Sequence, residues 1–189
     1  MTAELIFELY KDKRTVFTFP EIAMLINEPN ASKLKQRLNY YVRTKKLKNP
    51  RRGIYTKENY SVEEMACKVF KPAYISLEYV LQKAGIIFQY YTQVTNISYL
   101  SRTININGHL FEYRKIKNDI LYNTTGIEIR DNGISIASPE RAFLDILYLK
   151  KEFSLDSIES LNKKFVFSIL PIYQSDKLTT RAQNLFKHV

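Results

Sequence analysis

Asn30-Ala31-Ser32-Lys33-Leu34-Lys35-Gln36-Arg37-Leu38-Asn39-Tyr40-Tyr41-Val42-Arg43-Thr44-Lys45-Lys46, continued by Leu47-Lys48-Asn49-Pro50-Arg51-Arg52-Gly53-Ile54-Tyr55-Thr56, is the stretch that decides the fold. Leu34, Leu38, Tyr41 and Val42 fall at i, i+4, i+7 and i+8. This spacing predicts a helix from about Ala31 to Lys46 with one apolar stripe against a core. At about 100° per residue the opposite face collects Ser32, Lys33, Gln36, Asn39, Tyr40 and Arg43, with Lys35 and Arg37 on the flanks. Leu47-Lys48 and Gly53 to Thr56 then bracket Asn49-Pro50-Arg51-Arg52, the pattern of a small hairpin with two arginines at its tip. From Lys33 to Lys57 there are ten Lys/Arg and no Asp or Glu; Glu28 precedes the run and Glu58 follows it. Ten cations with no acid between them pack poorly and suit an anion-binding surface. The plain alternative is a solvated Lys-rich face.

Upstream, Leu5, Ile6 and Leu9 predict a helix over residues 3–11, and Thr15 to Phe17 suits a short strand. Thr18-Phe19-Pro20-Glu21 is a capping box that opens a second helix through Ile22, Ala23, Leu25 and Ile26. Asn27-Glu28-Pro29-Asn30 is turn chemistry. Helices this short do not persist alone in water, so the three apolar stripes must pack together. With the basic hairpin they predict a winged helix-turn-helix over residues 1–60, its third helix in a DNA major groove and its second across the backbone.

The candidate DNA-binding residues follow from that placement. Ser32, Lys33 and Gln36, in the first half of the helix, are the candidates for base edges; Gln suits adenine and Lys suits the guanine acceptors. Arg43, Lys45 and Lys46, later on the expected helix, are assigned to phosphate. Arg51 and Arg52 would enter a minor groove or clamp phosphates. Arg37, Asn39 and Tyr40 complete the set, Tyr40 as a ring able to stack on nucleotides.

Charge is uneven along the 189 residues. Net charge is +10; residues 1–60 hold 13 Lys/Arg against 6 Asp/Glu, residues 61–189 hold 16 against 13. A basic module is therefore joined to a nearly neutral one. With 45% hydrophobic and 25% charged residues the chain can build a packed core. Cys67 is the only cysteine, which excludes a disulfide within the chain and fits a reducing cytoplasm. Met1 to Lys13 lacks the continuous apolar core of a signal peptide, and the longest apolar run, Phe165 to Tyr173, is broken by Ser168 and Pro171. The expectation is a cytoplasmic protein without a membrane partner.

Residues 61–189 predict an α/β domain with a mostly antiparallel sheet and flanking helices, so the whole chain reads as α+β. Ser61-Val62-Glu63-Glu64 is a second capping box, opening a helix that Pro72 stops. Ser76 is placed to cap a helix with Leu77, Val80 and Leu81 inward, closed by Gly85. Val94–Ile97, Thr103–Ile106, Leu110–Tyr113 and Ile127–Ile129 alternate like strands, with Asn107-Gly108 and Asn132-Gly133 as turns. Ser138-Pro139-Glu140 opens a helix that carries Phe143, Leu144, Leu147 and Tyr148; further helices are expected over Asp156–Lys164 and Ser175–Lys187.

Chemistry-bearing clusters are scarce. His109 and His188 are the only histidines, so with one cysteine there is no metal-ligand spacing. Five glycines form no phosphate loop, and Cys67 is expected in the core. Glu140 and Asp145, five residues apart on one helix, are a conceivable metal or acid–base pair, but Glu140 is already explained as a first-turn charge. No catalytic residue, metal or cofactor is assigned.

Tyr74-Ile75-Ser76-Leu77-Glu78-Tyr79-Val80-Leu81 with Ala84-Gly85-Ile86, the segment Ile136-Ala137-Ser138-Pro139-Glu140-Arg141-Ala142-Phe143-Leu144-Asp145, and Arg52-Gly53-Ile54-Tyr55 resemble signatures of the AbiEi family, antitoxins of type IV toxin–antitoxin (abortive infection) systems. Their order is also the family's. The resemblance runs to about Lys151 and is weaker beyond, and Arg141 and Phe143 stand where Lys and Leu are expected. It implies an N-terminal domain, residues 1–60, that represses its own operon by binding inverted repeats in the promoter. It implies a C-terminal domain, residues 61–189, that counteracts a nucleotidyltransferase-like toxin without requiring a stable complex. Two other readings stay open: a nucleic-acid- or nucleotide-processing enzyme using Glu140 or Asp145, and a DNA-tethered protein-interaction module with no toxin.

Overall fold

Helix α1 (Thr2–Lys11), strand β1 (Val16–Thr18), helices α2 (Phe19–Leu25) and α3 (Ala31–Arg43), strands β2 (Lys48–Arg51) and β3 (Ile54–Thr56) and helix α4 (Val62–Val69) come first in the computed structural model, which describes residues 2–187. Local chemistry sets their limits. Thr18 and Glu21 form the expected capping box on α2. Asn27, at φ 49, closes that helix: its N–H donates to Met24 O and that of Glu28 to Ala23 O. Asn30 then caps α3 by accepting from Lys33 N at 3.0 Å.

The third helix is shorter than its periodicity suggests. It ends at Arg43 because Lys45 adopts φ 57, donating to Val42 O while Lys46 donates to Tyr41 O. This is a Schellman closure with lysine where glycine is usual. Lys45 and Lys46 therefore lie beyond the helix, not on it. The three strands pair antiparallel in the order β1-β3-β2, with Phe17 opposite Tyr55 and Arg51 opposite Ile54. Leu5, Leu9, Phe17, Ile22, Leu34, Leu38, Tyr41, Leu47 and Tyr55 form one buried cluster between helices and sheet. Val42, expected on the same stripe, is partly buried against it.

The chain divides into two units, and the division falls one helix later than the composition shift near Tyr60. The first unit takes the described chain through Val69 together with Asp131–Gly133; the second takes Phe70–Arg130 and the described residues from Ile134. Helix α4 belongs to the first unit, where its Glu64 serves the start of β1. Ser61 accepts from Glu64 N as a cap should, but the Glu64 carboxylate accepts from Thr15 N (2.6 Å) and Val16 N (2.9 Å) instead of completing a box. Lys68, its side chain almost fully buried, pairs with Glu21 of the α2 cap.

The second unit contains β4 (Ala73–Ile75), α5 (Glu78–Lys83), β5 (Val94–Ser98), β6 (Arg102–Ile106), β7 (His109–Lys115), α6 (Asn118–Leu121), β8 (Ile127–Ile129), β9 (Ser135–Ala137), α7 (Pro139–Leu149), α8 (Lys163–Ile169), a 3-10 turn (Leu170–Tyr173) and α9 (Asp176–Leu185). Its sheet runs β6-β7-β5-β4-β9-β8; β5–β7 and β4–β9 are parallel and the other three pairs antiparallel. The protein is thus mixed α+β, with helices flanking a mixed sheet. β4 and β9 were not expected; each is three residues long with its apolar residues side by side, Tyr74-Ile75 and Ile136-Ala137, so neither alternates. No helix covers Asp156–Lys164 as a whole. Asp156 instead holds the loop after β4–α5, with its N–H on Ile86 O and its carboxylate accepting from Phe88 N at 2.7 Å; Asn162 then starts α8. Helix α7, expected to show one apolar face, is buried from Arg141 through Leu147 on every side. Among the described residues no helix is long and apolar enough to cross a membrane.

Candidate nucleic-acid interface

Burying Leu34, Leu38 and Tyr41 leaves the other side of α3 to solvent. Ser32, Lys33, Lys35, Gln36, Asn39, Tyr40 and Arg43 are all exposed there. At about 100° per residue, Ser32, Gln36, Asn39 and Arg43 form a narrow stripe opposite the core. Arg43 lies over the Tyr40 ring at 5.9 Å, and Tyr40 meets Tyr41 edge-on at 5.5 Å. Tyr40, offered above as a stacking ring, is thus already in contact with one guanidinium.

Glu28 divides the cations of this helix. Its carboxylate stands 3.0 Å from Lys33 Nζ and 3.7 Å from Arg37 Nη1. Arg37 is only 18% exposed along its side chain. It tethers the start of α3 to the preceding turn. The hydrogen bond from Lys33 is the main cause holding the Glu28 carboxyl below its usual range. Lys48 pairs with Glu58 at 2.7 Å, and Lys57 donates to Asp12 O at 2.6 Å. Among the described residues Lys35, Lys45, Lys46 and Arg52 make no ion pair, and all four are exposed.

The hairpin differs in detail from the expected two-arginine tip. Arg51 is the last residue of β2 and half-buried, whereas Arg52 occupies the turn with Gly53 and is exposed. Gly53 has φ 79, which glycine adopts without strain. Asn49 Nδ2 braces the turn by donating to Arg51 O (2.9 Å) and Ile54 O (2.7 Å), and Phe19 N donates to Gly53 O. Tyr10 Oη donates to Lys46 O at 2.9 Å, anchoring the segment after α3 to α1. Neither Asn49 nor Tyr10 was singled out in the sequence. An Asn two residues before the turn was a usable signal; Tyr10 had none.

Asp145, the other candidate, is wholly buried. Tyr173 Oη (2.7 Å), Ser76 Oγ (2.8 Å) and Tyr74 Oη (3.1 Å) donate to its carboxylate, and Arg141 Nε stands 3.4 Å away. Arg141 in turn donates to Tyr74 Oη, Ile120 O and Thr125 O. Burial pushes the Asp145 carboxyl up against the pull of Arg141, and it also raises Tyr74 and Tyr173. Ser76 is thus no helix cap. Helix α5 starts after Leu77, and Thr95 Oγ1 from β5 accepts from Tyr79 N in its place. Glu140 is on the protein surface side of α7's first turn, accepting from Asn162 N at 3.1 Å. The pair Glu140 and Asp145 therefore shares no site. Among the described residues no cluster of His, Cys, Asp and Glu could hold a metal, Cys67 is buried, and His188 lies outside them.

No family model and no curated protein matches this chain.

Proposed function

We propose that the chain is a DNA-binding transcriptional repressor and the antitoxin of a type IV toxin–antitoxin system. In this reading the first unit is a winged helix-turn-helix, with α3 as recognition helix and β2–β3 as wing. The observation that carries it is the exposed quartet Lys35, Lys45, Lys46 and Arg52 beside the uncharged stripe Ser32, Gln36 and Asn39. Unpaired cations supply phosphate contacts; neutral polar side chains between them supply base readout.

The antitoxin half rests on the resemblance to the AbiEi family. The Tyr-Ile-Ser and Ser-Pro-Glu segments that carry it meet in one buried network around Asp145, which supports their belonging to a single domain design. The partner would be a nucleotidyltransferase-like toxin encoded beside this gene, opposed without a stable complex, and the DNA target would be inverted repeats in the shared promoter.

Filter binding across a salt series tests the wing. Arg51→Ala with Arg52→Ala should weaken binding to every duplex, and the log–log salt slope should become shallower by about 0.9 per lost phosphate contact. An unchanged slope would remove the hairpin from the interface. Co-expression with the neighbouring gene product tests the antitoxin: rescue of growth is expected, and its absence would leave a DNA-tethered module without a toxin.

A further inference from the structure

We infer that Gln36 and Asn39 read two adjacent A·T base pairs in the major groove, and that Glu28 keeps the neighbouring guanine-reading cations out of it. The inference rests on the DNA reading above and adds the class of sequence recognised. Adenine presents an acceptor, N7, beside a donor, the N6 amino group, and a carboxamide offers the matching donor and acceptor together. Guanine presents two acceptors, N7 and O6, and calls for two donors, which Arg or Lys provides. The residue types on the exposed stripe therefore choose the base.

The stripe holds two amides, Gln36 and Asn39, both exposed. Gln36 and Asn39 are three residues apart, about 4.5 Å along the helix axis, close to the 3.4 Å spacing of successive bases on a strand. Of the cations flanking them at the start of the helix, Lys33 and Arg37 are drawn toward Glu28, while Lys35, on the other flank, is left to phosphate. Lys33 and Arg37 converge on Glu28 Oε2; the Glu28 side chain is 11% exposed and that of Arg37 18%, while Lys33 keeps 59% of its side chain in solvent. The other Glu28 oxygen accepts from Asn30 N, so the carboxylate is fixed on both sides. Arg43 shares the stripe but lies seven residues beyond Gln36, stacked on Tyr40, at phosphate range for a helix entering by its N-terminal half.

Selection of the full chain against a randomised duplex library, followed by filter binding to the selected site with 7-deazaadenine at each adenine, tests this. Two adjacent A·T pairs should be enriched. Loss of N7 at either should weaken wild-type binding by roughly tenfold or more. Gln36→Ala and Asn39→Ala, both at exposed positions, should each erase that penalty at one base pair only. Glu28→Gln should admit guanine at a flanking position. G·C pairs at the paired positions, binding without a consensus, or a penalty that survives in both alanine variants would overturn the inference while leaving DNA binding intact. Failure to bind any duplex would instead sink the DNA reading itself, and the inference with it.

Discussion

In the first unit Lys35, Lys45, Lys46 and Arg52 stand exposed with no acid beside them, whereas in the second Arg141, Arg114 and Lys150 each close on a carboxylate. Glu78, fully buried, receives both Arg114 and Lys150 at 2.8 Å, and Asp145 receives Arg141 and three hydroxyls. Charges that a fold uses are buried and matched, because an unmatched buried charge costs several kcal/mol. Charges left exposed and unmatched contribute almost nothing to folding and are available to an anionic partner. The second unit has exposed cations of its own, Lys117 and Lys177 among them, so exposure alone does not single out the first; the proposal rests on the cluster that Lys35, Lys45, Lys46 and Arg52 make on α3 and the hairpin after it.

Removing a matched partner should break the comparison hardest. Asp145→Ala leaves Arg141 charged and buried, and the expected loss is about 3–5 kcal/mol in urea unfolding of the full chain. Arg52→Ala should stay within about 0.5 kcal/mol. A similar cost for both would erase the distinction drawn between the two units.

Acid should separate the buried carboxylates next. Burial alone would raise the Glu78 carboxyl, but Lys150 and Arg114 outweigh it and hold it below the usual range. Its stabilising share is present above the unfolded value, about 4.3, and disappears as pH falls through the lower folded value. Asp145 has the opposite sign: its carboxyl is raised, so its share is present at low pH and declines as pH rises through the folded value. Glu78→Gln should therefore lower stability at neutral pH and flatten the fall in unfolding midpoint below about pH 4. An acid limb as steep as wild type would remove Glu78 from that account.

The smallest expected effect sharpens the comparison from the other side. Lys45 holds φ 57 at the α3 closure, a conformation that costs an L-residue about 1 kcal/mol and glycine little. Lys45→Gly should raise stability by roughly 0.5–1 kcal/mol while weakening DNA binding through one lost charge. A variant that is destabilised would show that the lysine side chain supports the turn.

The sequence disclosed the first unit well because its signals are local. The Thr18 box and the Leu34-Leu38-Tyr41 stripe each act within one helix, and each is where the pattern puts it. It disclosed the end of α3 poorly. A lysine in a left-handed closure carries no signature, so Lys45 and Lys46 read as helix. The exposed face of α3 was legible from periodicity alone, but the capture of Lys33 and Arg37 by Glu28 was not, since it depends on how the turn before the helix folds back. In the second unit the turns at Asn107-Gly108 and the Ser138 cap were readable, while Ser76 misled: a serine before a helical pattern looks like a cap, yet a buried aspartate 69 residues away takes its hydroxyl. Such long-range polar demands have no period to find.

Hydrogen exchange of the full chain with and without saturating duplex DNA tests the central claim most directly. Peptides spanning α3 and the β2–β3 hairpin should slow on binding, while those covering α7 exchange at the same rate in both states. Slowing confined to the second unit, with residues 31–56 unchanged, would contradict the assignment of the duplex to the exposed cations and amides of the first.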